Sequence, residues 1–100
     1  MKQDIFNQYV EAVLKMFKVE RSELFSNSLK RNVIDARQLL YYLCYIRPMK
    51  ISYIQRYMAE NGYDPKHVPI IRGIRRVEKK MEEDRDYQSI VSRVQNSIFI

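Results

Sequence analysis

Between Lys66 and Met81 the chain places Lys66, His67, Val68, Arg72, Arg75, Arg76 and Lys79 close together, with Glu78 as the one acidic residue among them. These side chains suit one kind of chemistry, the non-covalent reading of a polyanion. Arg can pair with a guanine edge through two donors, either cation can hold a phosphate, and a small apolar group can touch the thymine methyl. Arg72, nearest the start of the segment, is with Lys66, His67 and Val68 the candidate for reading bases. Arg75, Arg76 and Lys79 are candidates for phosphate contacts. Two blander readings stand beside these. The arginines also fit a solvated face with local ion pairs, such as Arg75 and Lys79 flanking Glu78, and His67 also fits a partly buried residue that closes a turn.

Such a group needs a rigid support. Ile70, Ile74, Val77 and Met81 recur at the helical period and predict a stripe that faces a core, leaving the cations on the far side, with Lys80 at their edge. Pro69 has no N–H and is tolerated only in a first helical turn, so the helix is expected to begin near His67 or Val68. Before it, Ile51 to Glu60 reads as a helix that buries Ile51, Ile54 and Met58 and stops at Asn61-Gly62. Tyr63 to Lys66 connects the two. A helix, a turn and a basic amphipathic helix predict a helix-turn-helix over about 51–81, with a turn longer than the usual three or four residues. Lys50 and Ser52 open the first of these helices, where free backbone N–H groups favour a phosphate.

The rest of the chain also reads as helical. A first helix from an Asp4 cap to about Lys18 turns Ile5, Tyr9, Val13 and Phe17 inward, joined by Val10 and Leu14. A short one follows around Ser22–Phe25, then a polar loop at Ser26-Asn27-Ser28. A third runs from Asn32 or Val33 to Arg47 with Val33, Ala36, Leu40, Leu43 and Cys44 inward, and ends because the residue before Pro48 is pushed out of the helical region. A last helix, capped by Asp84 or Asp86, turns Tyr87, Ile90, Val91, Val94 and Ile98 inward. Lys30, Arg31 and Arg37 are further phosphate candidates, although Arg37 equally fits an internal pair with Asp35 or a helix terminus. Tyr41, Tyr42, Tyr45, Tyr53 and Tyr57 are read mostly as core margin, with some free to form a protein interface. The expectation is one all-α domain of about six helices over residues 1–100.

Charge supports the polyanion reading. The net charge is +6, yet residues 66–80 alone hold six Lys/Arg against one Asp/Glu, whereas residues 81–100 hold two against four. Several function classes drop out. There is no nucleophile-elbow pattern, no metal-ligand set around the single Cys44 and single His67, and no carboxylate pair in an apolar setting, so neither an enzyme nor a cofactor or metal site is expected. Asp84 and Asp86 read as caps, and Glu82-Glu83 as helix surface. No apolar run is long enough to span a membrane, and Met1–Asn7 lacks the features of a secretory leader, so a cytoplasmic protein without a small-molecule substrate is expected.

Val13-Leu14-Lys15-Met16-Phe17-Lys18-Val19, Glu23-Leu24-Phe25-Ser26, Val33-Ile34-Asp35-Ala36-Arg37-Gln38 and His67…Ile70-Ile71…Gly73-Ile74-Arg75-Arg76-Val77 together resemble the C-terminal DNA-binding domain of the bacterial replication initiator DnaA. The resemblance covers about Ile5 to Ile98. It implies a Trp-repressor-like helix-turn-helix fold and a basic loop at Lys30-Arg31-Asn32 near the DNA backbone. The sequence departs from the family pattern where Pro65-Lys66-His67-Val68-Pro69 replaces its Arg-Asp-His-Thr-Thr, and where Asp35 stands in place of a minor-groove arginine. The basic loop is thinned by Asn27, Ser28 and Leu29. No Gly-x-x-x-x-Gly-Lys-Ser/Thr loop is present, so the family's ATPase module is not expected here. Two functions follow as expectations. One is a double-stranded DNA-binding regulator of replication or transcription, of phage or mobile-element type. The other is an interaction module that keeps the fold and binds a host replication or transcription protein through its tyrosine-rich face.

Overall fold

Six helices make up the described residues, 2–98, of the computed structural model: α1 (Lys2–Phe17), α2 (Arg21–Leu24), α3 (Arg31–Ile46), α4 (Ile51–Glu60), α5 (His67–Glu83) and α6 (Arg85–Ser97), with no strand among those residues. The central element is α3, which packs α1 against one side and α5 against another. Its Val33, Ala36, Leu39, Leu40, Leu43 and Cys44 are fully buried. Phe6, Tyr9, Val10 and Val13 of α1, Ile54 and Met58 of α4, and Ile70, Ile74 and Val77 of α5 complete the core. Met81 is only partly buried at its edge. Burial of these side chains at helical spacing supplies most of the stability of such short helices, which are marginal alone in water.

Where the chain turns, the backbone chemistry is local. Lys18 takes a left-handed conformation (φ 54°) after α1, and the N–H of Val19 donates to the carbonyl of Leu14 at 3.0 Å. Gly62 does the same after α4 (φ 107°), with the N–H of Tyr63 donating to Met58 at 3.2 Å, as the Asn61-Gly62 stop predicts. The α6 cap is Asp84, whose Oδ1 accepts from the N–H groups of Asp86 and Tyr87 at 3.0 and 3.1 Å.

Several expectations need correction. The first helix begins at Lys2, so Asp4 lies inside its first turn instead of capping it. α3 does end next to Pro48, but Arg47 keeps helical dihedrals (φ −77°, ψ −16°) and the Arg47–Pro48 bond is cis. Pro48 stops the ladder because it has no N–H to continue it. Ile90, expected inward, is 40% exposed, and Val91 is the fully buried residue of α6. A helix on the rim of a fold covers the core with a narrow stripe, and Ile90 falls outside it.

α5 reaches α3 through a missing side chain. Gly73 is buried, and a Cβ built on it would stand 3.1 Å from Cδ2 of Tyr41 and 3.2 Å from Cγ of Gln38. The hydrogen at that position brings the α5 backbone close to α3 and fixes where the outer face of α5 sits.

Candidate nucleic-acid interface

The α4–turn–α5 segment has helix-turn-helix form, with a six-residue turn, 61–66. Such a length would be loose were it not tied. The carboxylate of Asp64 accepts from Nε2 of Gln55 at 2.6 Å and pairs with Nζ of Lys66 at 3.1 Å, and both contacts hold it below the usual carboxylate range. Nδ2 of Asn61 donates to the carbonyl of Tyr57 at 2.8 Å, and its Oδ1 accepts from Arg21 at 3.0 Å. Pro65 is buried. Lys66 then enters α5 with φ 63° and ψ 171°, a region that side-chain-bearing residues rarely occupy.

Along α5, Ile70, Gly73, Ile74 and Val77 face the core, while His67, Val68, Arg72, Arg75, Arg76 and Lys79 are exposed. Val68 is 56% exposed. None of Arg72, Arg75, Arg76 and Lys79 makes an ion pair or side-chain hydrogen bond among the described residues. The local pairing of Arg75 and Lys79 with Glu78 is therefore not observed. Pro69 sits within the first turn, where its missing N–H costs nothing.

The second group of cations lies where the loop before α3 enters that helix, with Lys30 as its N-cap residue and Arg31 as its first residue. Nζ of Lys30 pairs with Oε2 of Glu23 at 3.2 Å, and Nε of Arg31 lies 3.6 Å from Oδ1 of Asp35. Leu29 on this loop is 81% exposed. A cleft of about 150 Å³, lined by Leu29, Ile34, Arg37, Gln38, Tyr41, Tyr63 and Pro69, joins the loop to the start of α5. Lys50 and Ser52 are exposed at the start of α4.

Arg37 does not belong to this set. It is 5% exposed, and its guanidinium donates to the carbonyls of Leu24 and Ser28 at 2.8 Å each, to that of Glu23 at 3.1 Å, and to that of Ser26. It also lies over the Tyr63 ring, 4.6 Å from the centroid. With its donors engaged inside the protein it is not available to a phosphate. It caps α2 and immobilises the loop that carries Lys30. The helix-terminus alternative is the one the structure selects, because only burial against open carbonyls distinguishes this arginine from its exposed neighbours.

One cation, Arg56, and the pairing of another, Lys80, went unnoticed in the sequence. Arg56 is exposed on α4 one turn after Ser52, stacked over Tyr53 and Tyr57 at 5.0 and 5.4 Å. The i, i+4 spacing from Ser52 carried that signal. Nζ of Lys80 lies 3.8 Å from Oδ1 of Asp35 and 5.7 Å from the Tyr87 ring centroid, a convergence of α3, α5 and α6 without a local sequence signal. Among the five tyrosines, Tyr41 and Tyr57 are buried, Tyr42 and Tyr53 half-buried, and Tyr45 is 44% exposed. Tyr45 borders a cleft of about 280 Å³ with Ile51, Ile71, Arg75 and Glu78. Among the described residues no three of His, Cys, Asp and Glu come together to hold a metal ion, and no helix is long and apolar enough to cross a membrane.

The sequence is similar to the chromosomal replication initiator protein DnaA of Lachnoclostridium phytofermentans, 26% identical over 83 residues. That match covers 82% of this chain and 17% of the longer protein, so the chain spans about a sixth of its relative. No protein-family model matches, and no solved structure gives a significant match. The likeness to DnaA is partial. It agrees with an all-α fold of helix-turn-helix type.

Proposed function

We propose that this domain binds double-stranded DNA by seating α5 in the major groove. The observation that carries this is the outer face of α5, where Arg72, Arg75, Arg76 and Lys79 have no ion-pair partner among the described residues while Lys30, Arg31, Lys66 and Lys80 each have one. Four unpaired cations on a helix held by its opposite stripe repel one another, and a polyanion relieves that repulsion. His67 and Val68 at the helix start meet base edges, with Arg72 next to them. Lys30 and Arg31 at the start of α3, and Lys50 and Ser52 at the start of α4, hold the flanking backbone.

The partial likeness to a replication initiator supports a role in replication or transcription control, exerted by occupancy of a site, since no catalytic constellation accompanies the face. The experiment is a titration of labelled random-sequence duplex at two salt concentrations. About five or six phosphate contacts predict a log–log salt slope near −5. Arg72→Ala with Arg76→Ala lowers the affinity, and the loss of the phosphate contact of Arg76 makes the slope shallower by about 1. An unchanged affinity in this double variant would end the proposal.

The second reading, a protein-interaction module, has Tyr45 and its cleft in its favour. Binding to an extract protein that survives nuclease treatment and is lost in Tyr45→Ala would support it over DNA docking.

A further inference from the structure

One carboxylate oxygen lies between two cations that come from different parts of the chain. Oδ1 of Asp35 on α3 is 3.6 Å from Nε of Arg31 and 3.8 Å from Nζ of Lys80 on α5. Both separations exceed hydrogen-bonding distance, so the contact is ionic and exchangeable, without a fixed geometry. The Arg31 side chain is 85% exposed and that of Lys80 40%, so a ligand reaches both, while Asp35 is the most sheltered of the three at 24%. Lys80 follows Arg72 and Arg76 at helical spacing, so the three share one flank of α5. Arg72 and Arg76 are unpaired there, and Lys80, the last of the row, is the one closed by a carboxylate.

From this we infer that Arg31 and Lys80 form a phosphodiester-binding pair across the seam between α3 and α5, with Asp35 as its resident anion, which a DNA phosphate must displace. The site presupposes the duplex-docking role of α5 proposed above and extends its footprint by one contact at the far end of the helix. An exposed ion pair contributes only about 0–1 kcal/mol to stability, so Asp35 is poorly explained as a structural brace. Its effect on a polyanion is larger. It cancels part of the positive potential of two side chains that stand in line with the free arginines, and so it weakens sequence-independent attachment to any duplex. The Tyr87 ring keeps the Lys80 ammonium at the seam after the carboxylate is removed.

The test is a double-mutant cycle read by fluorescence anisotropy on the labelled random duplex between 50 and 200 mM salt. Asp35→Asn is expected to tighten binding severalfold at the low-salt end and to steepen the log–log slope by about 1, because Lys80 is one added contact worth about 0.9. Lys80→Ala is expected to change little in the parent protein and to remove most of the gain in the Asp35→Asn background, a non-additivity that a purely structural Asp35 would not produce. Asp35→Ser carries the same test should D35N fail to melt cooperatively. An affinity and slope unchanged in D35N, or a cycle that is additive, overturns the site. Arg72→Ala with Arg76→Ala in the same titration separates the two proposals. If that double variant binds like the parent, the docking of α5 fails whatever Asp35 does, and if D35N binds where the parent does not, the restraint by Asp35 is supported directly.

Discussion

Nε of Arg37 donates to the carbonyl of Leu24 across 2.8 Å, and this bond joins the middle of the central helix to the end of α2. The same guanidinium satisfies the carbonyls of Glu23, Ser26 and Ser28, so one buried cation orders the whole passage from α2 into α3. The loop that leads into Lys30 and Arg31 at the start of α3 is held from beneath. This has a direct consequence for stability. Arg37→Ala should lose about 3 kcal/mol or more, since it leaves several buried carbonyls without donors. Arg37→Lys, which keeps the charge but not the fork of donors, should recover only part of it. Urea denaturation measures both. At a temperature where the variants stay folded, the salt slope for duplex binding should match that of the parent, because the lost charge never met a phosphate.

The close approach at Gly73 is open to a separate test. Gly73→Val puts a branched side chain where a Cβ already stands 3.1 Å from the buried Tyr41 ring, and it should destabilise the fold by about 1–3 kcal/mol through overpacking. Because α5 has to move away from α3, duplex binding should weaken even under conditions where the variant is fully folded. Thermal melting and anisotropy together check this. Unchanged binding by a destabilised variant would mean that the position of α5 does not control the interface.

Val68 distinguishes reading from gripping. Its side chain is exposed at the start of α5 and has no charge, so Val68→Ala should leave the salt slope and the affinity for random duplex as they are. For a duplex selected from a random pool it should cost about 1 kcal/mol, roughly fivefold, if the isopropyl group meets a thymine methyl. Replacing the thymines of that selected duplex by deoxyuridine should reproduce the loss in the parent protein and add nothing in Val68→Ala.

Stability at alkaline pH follows from the tyrosines that surround the core. Burial pushes the Tyr87 phenol from 10.0 up to about 12, helped by the negative charge of nearby Asp35. A phenol whose pKa is raised by folding contributes stability that is complete below pH 10 and is lost as the pH rises through 12, since the unfolded chain ionises first. Tyr41, more deeply buried, is shifted in the same direction. The melting temperature should therefore be level up to about pH 9 and fall between pH 10 and 12, and Tyr87→Phe should soften that fall. Burial also pushes the Cys44 thiol up, so a thiol-specific reagent at pH 8 should label it only as fast as the protein unfolds.

The sequence by itself determined the number and kind of elements. Periodicity located the six helices, because apolar spacing is a local property that survives without any knowledge of partners, and Asn61-Gly62 and Asp84 set two of the ends through bonds to their immediate neighbours. It also located the cationic outer face of α5, since the core stripe of Ile70, Ile74 and Val77 leaves Arg72, Arg75 and Lys79 no other side to occupy. Only the tertiary structure decided which cations are free. Arg37 and Arg72 are both arginines on amphipathic helices, but one is buried against carbonyls contributed by another element and the other is solvated. Asp35 and Lys80 lie far apart in the chain and meet only because α3 and α5 pack together. Charge is written in the sequence, whereas the partner that cancels it depends on distances that exist only once the helices have docked.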